Sequence, residues 1–285
     1  MLDADILHLP QTRRLTNRKA TYLCALGAAI FLVVVIVAGQ MVTGLAMQTD
    51  FLQKNLPPSI QHPFGTDWMG RDMFARALAG LSLSIVVGLG AAMMSSVIAL
   101  VLGLIAALGG RRADAVVSWM IDLMMGIPHI VLLILISCAL GGGFVGVMVG
   151  VAFTHWASLT RVVRAEVMQC KNSDFVSASL RLGRSKAYIA LKHMLAHVAP
   201  QFLVGLILMF PHAILHEAAI TFLGFGIPPE QPALGIILSE SMGFLSTGMW
   251  WLAVFPGIAL IVCVLLFDLV GSSVRKLIDP ASSQE

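Results

Sequence analysis

The sequence predicts an all-α integral membrane protein with six transmembrane helices, and three observations carry that prediction. Of the 285 residues, 58% are hydrophobic and only 12% are charged, where soluble domains carry about a quarter charged residues. Six apolar stretches, at residues 20–42, 81–109, 115–140, 144–159, 202–223 and 249–270, come near the roughly 20 residues that a spanning helix needs. With the N-terminus inside, 15 of the 18 Lys and Arg residues fall in cytoplasmic segments. The positive-inside rule then puts both termini in the cytoplasm. The net charge of +3 reports this topology, so the expected partner is the lipid bilayer and not nucleic acid.

Residues 1–19 read as a cytoplasmic tail, 20–280 as the membrane domain and 281–285 as a second short tail. The first helix follows a basic flank, Arg13 to Lys19, with no small-residue cleavage pattern behind it, so it is an anchor. An external segment follows, containing HPFGTDWMGRDMFARAL from His62 to Leu78; its Pro, Gly and charges give way to a helical pattern at Arg71. The second helix is rich in Gly88, Gly90, Ala91, Ala92, Ser95 and Ser96, small residues that let helices approach closely in lipid.

In the third helix Asp122 must face protein or water. Pro128, in Gly126-Ile127-Pro128-His129, removes a backbone hydrogen bond and should kink the helix. The fourth stretch is the shortest, borrows Gly142, Gly143 and Thr160 to span, and carries His155 and Trp156 toward its inner end. His155 is a candidate for the substrate pathway, or else a satisfied interior residue.

The fifth helix concentrates ionisable groups. His212 and His216 are spaced i, i+4, so they share a helical face about 6 Å apart, with Glu217 beside them. Ionisable side chains are costly in a membrane helix and mark a functional hypothesis. Neutral imidazoles suit late transition metals, and a carboxylate could add an oxygen ligand. His212 and His216 are therefore candidate ligands of a transient metal site; the alternative is that both hydrogen-bond to neighbouring helices. Elsewhere metal chemistry has little support. Cys24, Cys138, Cys170 and Cys263 stand singly, without the spacing of a zinc site or a disulfide framework. No G-x-x-x-x-G-K-[ST] loop is present, so the chain has no nucleotide site of that kind.

Between the fourth and fifth helices, residues 166–200 are helical in pattern but too charged for a bilayer. Phe175, Ala178, Ser179 and Leu182 recur at helical spacing on one face, and Arg181 and Arg184 point away. Gly183 interrupts, and a second short face follows from Tyr188, Leu191 and Leu195, which predicts two helices joined by a tight bend. This stretch resembles the cytoplasmic coupling loop of binding-protein-dependent ABC importer permeases. Ser177, Ala178 and Ser179 occupy that loop's Glu-Ala-Ala triplet, Gly183 its glycine and Leu195 its leucine. Ser177 replaces the acidic residue, His193 stands where an isoleucine is usual, and Ala196 stands where a proline is usual, with Pro200 as a nearby helix start. A histidine at the position of His193 is usual in the peptide and nickel branch.

Three further segments resemble that branch. His62-Pro63, Gly65-Thr66-Asp67, Gly70-Arg71-Asp72 and Arg76 are similar to the segment after the first helix in the smaller permease of dipeptide, oligopeptide and nickel importers. Glu217-Ala218 followed by Thr221-Phe222-Leu223-Gly224-Phe225-Gly226 is similar to a second shared segment, and FDLVGSSVRKLIDP to a third, matched at Gly271, Arg275, Asp279 and Pro280 but not at Asp268, Ser272 and Lys276. His155-Trp156 and the His212, His216 pair look like the nickel branch, whereas Glu217 fits the peptide branch.

The resemblance implies a type I ABC importer permease with a cytoplasmic coupling-helix loop, in a bacterial inner membrane. It implies a pore subunit, not an enzyme, with no cofactor on this chain and ATP and Mg on two partner ATP-binding cassette subunits. A second homologous permease and an extracytoplasmic binding protein complete the implied assembly. Coupling to the ATPase falls to Ser177, Ala178, Ser179, Gly183, His193 and Leu195. The expected cargo is nickel, free or chelated by a small metallophore; the alternative is di- or oligopeptides. Two other classes fail. An intramembrane metallohydrolase needs a glutamate between its histidines, as in H-E-x-x-H, and not after them. A secondary transporter has no use for the coupling loop, and no inverted repeat is visible.

Overall fold

The computed structural model describes residues 18–278, and among them the chain is helical, with one isolated β-bridge between Thr66 and Asp72. Five helices are long and apolar enough to cross a membrane: α1 (Arg18–Met41), α3 (Met73–Leu108), α6 (Gly143–Lys171), α9 (Leu195–Phe222) and α11 (Trp251–Ile278). Between α1 and α3 lies the short α2 (Thr43–Ala46). The centre of the bundle is α3, which packs on α1, α6 and α9. Its glycines permit this: a Cβ at Gly103 would lie 2.6 Å from Val163 Cγ1 of α6, and one at Gly88 2.7 Å from Ile214 Cγ1 of α9.

The third predicted span, 115–140, is broken. It consists of α4 (Gly110–Gly126) and α5 (His129–Ala139), bent by 97° at the intervening pair. Ile127 is extended (φ −91°, ψ 136°), the conformation that a following proline imposes on its neighbour. Pro128 thus ends one helix and opens the next, a larger effect than the expected kink. The partners on α6 give the two directions. Asp114 pairs with Arg164 and Asp122 with Arg161, eight residues of α4 against three of α6, so α4 crosses α6 obliquely. His129 packs on His155, while Ser137 lies against Gly146, so α5 runs antiparallel along α6.

Three other boundaries differ from expectation. The second span begins at Met73 and not near 81, because Asp72 caps the helix by accepting from the Ala75 N–H (2.8 Å) and because Arg76, which reads as a break in apolar sequence, is neutralised. The last helix likewise continues past 270 to Ile278. The fourth span does not stop at 159: α6 continues to Lys171, since Arg164 donates to both carboxylate oxygens of Asp114 (2.5 and 2.8 Å).

The expected coupling loop, 166–200, is accordingly shorter. Residues to Lys171 belong to α6; α7 (Asp174–Arg181) follows, then the bend at Gly183 (φ +77°), then α8 (Lys186–Ile189). The expected second short helix is not separate. It runs through a π-helical turn, Ala190–Met194, directly into α9, and Pro200 lies inside α9 instead of starting a helix. Asp279 and Pro280 lie outside the described residues.

At the opposite end, the segment between α2 and α3 folds into a plug against α10 (Leu234–Met242). Arg71 Nε and Arg76 Nη1 both donate to Asp67 Oδ2 at 2.6 Å, and Arg71 and Arg76 reach Glu240 Oε2 of α10 at 3.2 and 2.9 Å. His62 bridges Asp72 and Gln53, each at 2.7 Å. Gly70 (φ +77°) passes so close to the Asp50 carbonyl that no side chain fits. The charged words of this motif are internal ties; Arg76 is 1% exposed.

Candidate functional site

The break at Pro128 places His129 as the first residue of α5, and α6 and α9 bring His155 and His216 against it. The ring centroids lie 4.6 Å (His129–His155), 4.4 Å (His129–His216) and 5.1 Å (His155–His216) apart. The planes are inclined at 50–87°, so the rings surround a point and do not stack. One nitrogen from each ring falls within 4.8 Å of the others. The His155 Nδ1–H donates to the Val151 carbonyl (2.9 Å), which leaves Nε2 with its lone pair free. His129 Nε2 is buried without a hydrogen-bond partner among the described residues.

These rings line a pocket of ≈ 540 Å³ together with Met124, Met125 and Thr154. Three neutral imidazoles in such a place can donate lone pairs to a cation or accept hydrogen bonds from a polar cargo.

Of the residues singled out from sequence, His155 and His216 enter the cluster. His212 lines the same pocket but is outside the group of three. Glu217 does not line it. That residue is 0% exposed, accepts from Thr221 Oγ1 (3.0 Å) and has Oε2 unpartnered, so it belongs to the packing of α9 and not to the pocket wall. His129 was missed because a straight span would have carried it past the other two. The signal was present, since any ionisable residue at membrane depth is a functional candidate.

At the far end of α6, α7 is anchored by Val176, 3% exposed, and turns Phe175, Leu180 and Leu182 outward, the last 81% exposed. Ser177, Ala178 and Gly183 are exposed, Ser179, His193 and Leu195 partly so. Of the predicted face of α7, Phe175 lies beside the rings of His193 and His197, with centroids 6.3 and 6.5 Å away, and the residue that packs is Val176, which that face did not include.

A helical membrane bundle with a polar pocket between broken and continuous helices, and an exposed amphipathic helix at the foot of two of them, is the architecture of a transport subunit. The chain belongs to the family of binding-protein-dependent transport system inner membrane components, which matches residues 99–284. This family is a transport component, not a catalytic one. Among relatives, a putative peptide transport system permease protein of Brucella suis is 34% identical over 271 residues, covering 94% of this chain and 90% of the relative. The dipeptide transport system permease protein DppC of Bacillus subtilis is 31% identical over 269 residues, covering 94% and 84%. A solved structure of the MetNI methionine ABC transporter in an inward-facing conformation superposes with a TM-score of 0.60 at 17% identity, covering 73% of this chain and 98% of that one. The chain is thus a multi-pass ABC importer permease of type I fold. These relatives carry names of peptide transport, not of nickel.

Proposed function

We propose that this chain is one of two permease subunits of an ATP-driven importer of short peptides in a bacterial cytoplasmic membrane. The peptide cargo is favoured by the relatives' names, which hold over nearly the full length of the chain. The observation that carries the mode of action is the seat of α7. It hangs between the end of α6 and the continuous α8–α9 rod, and those two elements bear His155 and His216. A push on α7 tilts both walls of the pocket together.

In this reading α7, with Ser177, Ala178, Ser179 and Gly183, and with His193 and Leu195 behind it, docks in an ATPase subunit. Burial there adds about 1.5–3 kcal/mol for Leu182 and about half of that for each of Phe175 and Leu180, which are already more than half covered. Two such ATPases hold ATP and Mg, and their closure moves the docked helices as rigid bodies. A homologous permease supplies the other half of the pathway, and an extracytoplasmic binding protein delivers the cargo. This chain itself performs no catalysis and needs no cofactor.

The test is uptake of a labelled dipeptide by cells that carry or lack the chain, and by cells carrying Leu182→Glu. Loss of uptake in both defective strains, with Leu182→Glu still in the membrane, is the expected result. Undiminished dipeptide uptake without the chain removes the peptide assignment, and normal uptake by Leu182→Glu removes the docking role of α7. Nickel, free or chelated, is the second reading; the observation that favours it is the meeting of three imidazoles.

A further inference from the structure

Histidines that merely join helices hydrogen-bond across them, yet none of these three rings does so among the described residues. The ring bonds that His155 makes go to Val151 and Thr154 of its own helix, and His129 Nε2 is buried with no partner. The unpaired, buried His129 Nε2 alone costs about 1–3 kcal/mol if nothing binds it. Something that accepts lone pairs accounts for the arrangement.

We propose that His129, His155 and His216 form a three-nitrogen site for one divalent late-transition-metal ion, such as Ni2+, Co2+ or Zn2+. The inference rests on the permease reading for its consequence, that metal-bearing cargo halts here, but not for the binding itself. Val151 acts on this site from behind: by taking the Nδ1–H of His155 it fixes the tautomer that presents Nε2, the usual arrangement behind a metal-bound histidine. Metal–nitrogen bonds of about 2.0–2.1 Å bring tetrahedral ligand atoms to roughly 3.3 Å apart. The present spread, up to 4.8 Å, closes to that by small ring rotations, as suits a site that must also let go.

Three imidazoles leave at least one coordination position, and here that position faces the pocket. A chelating cargo fills it with its own amine or carboxylate, and water fills it for a free ion. The metal is common to both sources. The ligand set also differs from the His212, His216 pair: it takes one histidine from each of α5, α6 and α9, so a bound ion ties the half-helix α5 to the two elements that lead to α7.

The experiment uses the full chain purified with its partner subunits in lipid nanodiscs, without ATP, titrated with Co2+ and followed by its visible ligand-field bands, then with Ni2+ by calorimetry. One ion per chain is expected. His129→Gln, His155→Gln and His216→Gln should each weaken binding at least about 100-fold, above the 10–100-fold typical of lost outer-shell partners. His212→Gln should change it less than about fivefold. Co-elution with the ATPases shows that each variant is folded. A parallel titration with Ni2+ already bound to free histidine or to Gly-Gly-His separates the sources: a chelate that binds intact fills the open position itself, whereas a chelator that strips the protein marks the free ion as the ligand. Absence of a stoichiometric ion in the unaltered protein, or equal binding by His129→Gln, overturns the site. Neither result touches dipeptide uptake, which tests the permease reading separately.

Discussion

Replacing Asp67 by Ala removes the acceptor shared by two buried guanidinium groups. Asp67 Oδ2 takes the Nε–H of Arg71 and an Nη1–H of Arg76, both at 2.6 Å, and Oδ1 takes the Met69 and Arg71 amides at 2.8 and 2.9 Å. After the change, two positive charges share only Glu240 Oε2, and Arg76 Nε is already without a partner. Removing one member of a buried ion pair costs about 3–5 kcal/mol, because the remaining charge stays buried. For a chain of 285 residues, at about 2.1 cal/mol/K per residue, that corresponds to a fall in Tm of roughly 5–8 °C. The assay is thermal unfolding in detergent, read by a thiol-reactive fluorophore that reaches Cys170 and Cys263 only on opening, in a background where the exposed Cys24 and Cys138 are serine. Arg76→Met alone should also destabilise. The double variant should lose less than the sum of the two single losses, since the second change removes a charge that the first has stranded. A loss below about 1 kcal/mol for Asp67→Ala would refute the reasoning and class the cluster with exposed ion pairs.

The bend after α7 gives a second expectation. Nothing lies within 4 Å of a Cβ at Gly183, so Gly183→Val acts through φ +77° alone, at about 1–2 kcal/mol; cargo uptake should fall while membrane insertion is kept, and Gly183→Asn, which tolerates this conformation, should restore most of it. Pro128→Ala should relax the 97° break and separate the histidines, so Co2+ affinity should drop at least about tenfold; unchanged affinity would show that the break does not position His129. Single cysteines test the orientation: those in 43–80 and 225–247 should label from outside and one at Gly110 from the cytoplasm, as the basic residues direct. Labelling of Gly110→Cys from outside alone would invert the topology. Finally, replacing His212 and His216 together by Gln should depress Ni2+ binding about as much as His216→Gln alone, since only His216 is among the three ligands; undiminished binding would remove it from the site.

The number of apolar segments was legible because hydropathy over about 20 residues is a property of composition, insensitive to bends. The break at Pro128 was legible in place but not in size. A proline removes one hydrogen bond wherever it falls, whereas the 97° angle depends on α5 finding a groove on α6 where Gly146 and Gly150 admit it. That long-range fit also hid His129. Charged helix ends were missed for a related reason: Arg76, Arg161 and Arg164 read as water-seeking until their carboxylate partners, 9 to 164 residues away, are known. The helix α7 and the bend at Gly183 were legible, since amphipathic spacing and a glycine break are local, but Val176, the residue that packs, lay outside the predicted face. The placing of Glu217 was not legible, because neighbours in sequence on a helix point about 100° apart.

The plug has a consequence for encounters at its end of the molecule. Its strongest charges are turned inward and neutralised against one another, so they cast little field into the surrounding water. What this end presents instead includes Leu52 and Ile60, fully exposed, and Trp68, which is partly so. A protein arriving there is not drawn from a distance by Asp67, Arg71 or Arg76, and its rate of arrival from these groups should scarcely change as salt is raised. Recognition at this end then resides in how long a visitor stays rather than in how fast it comes.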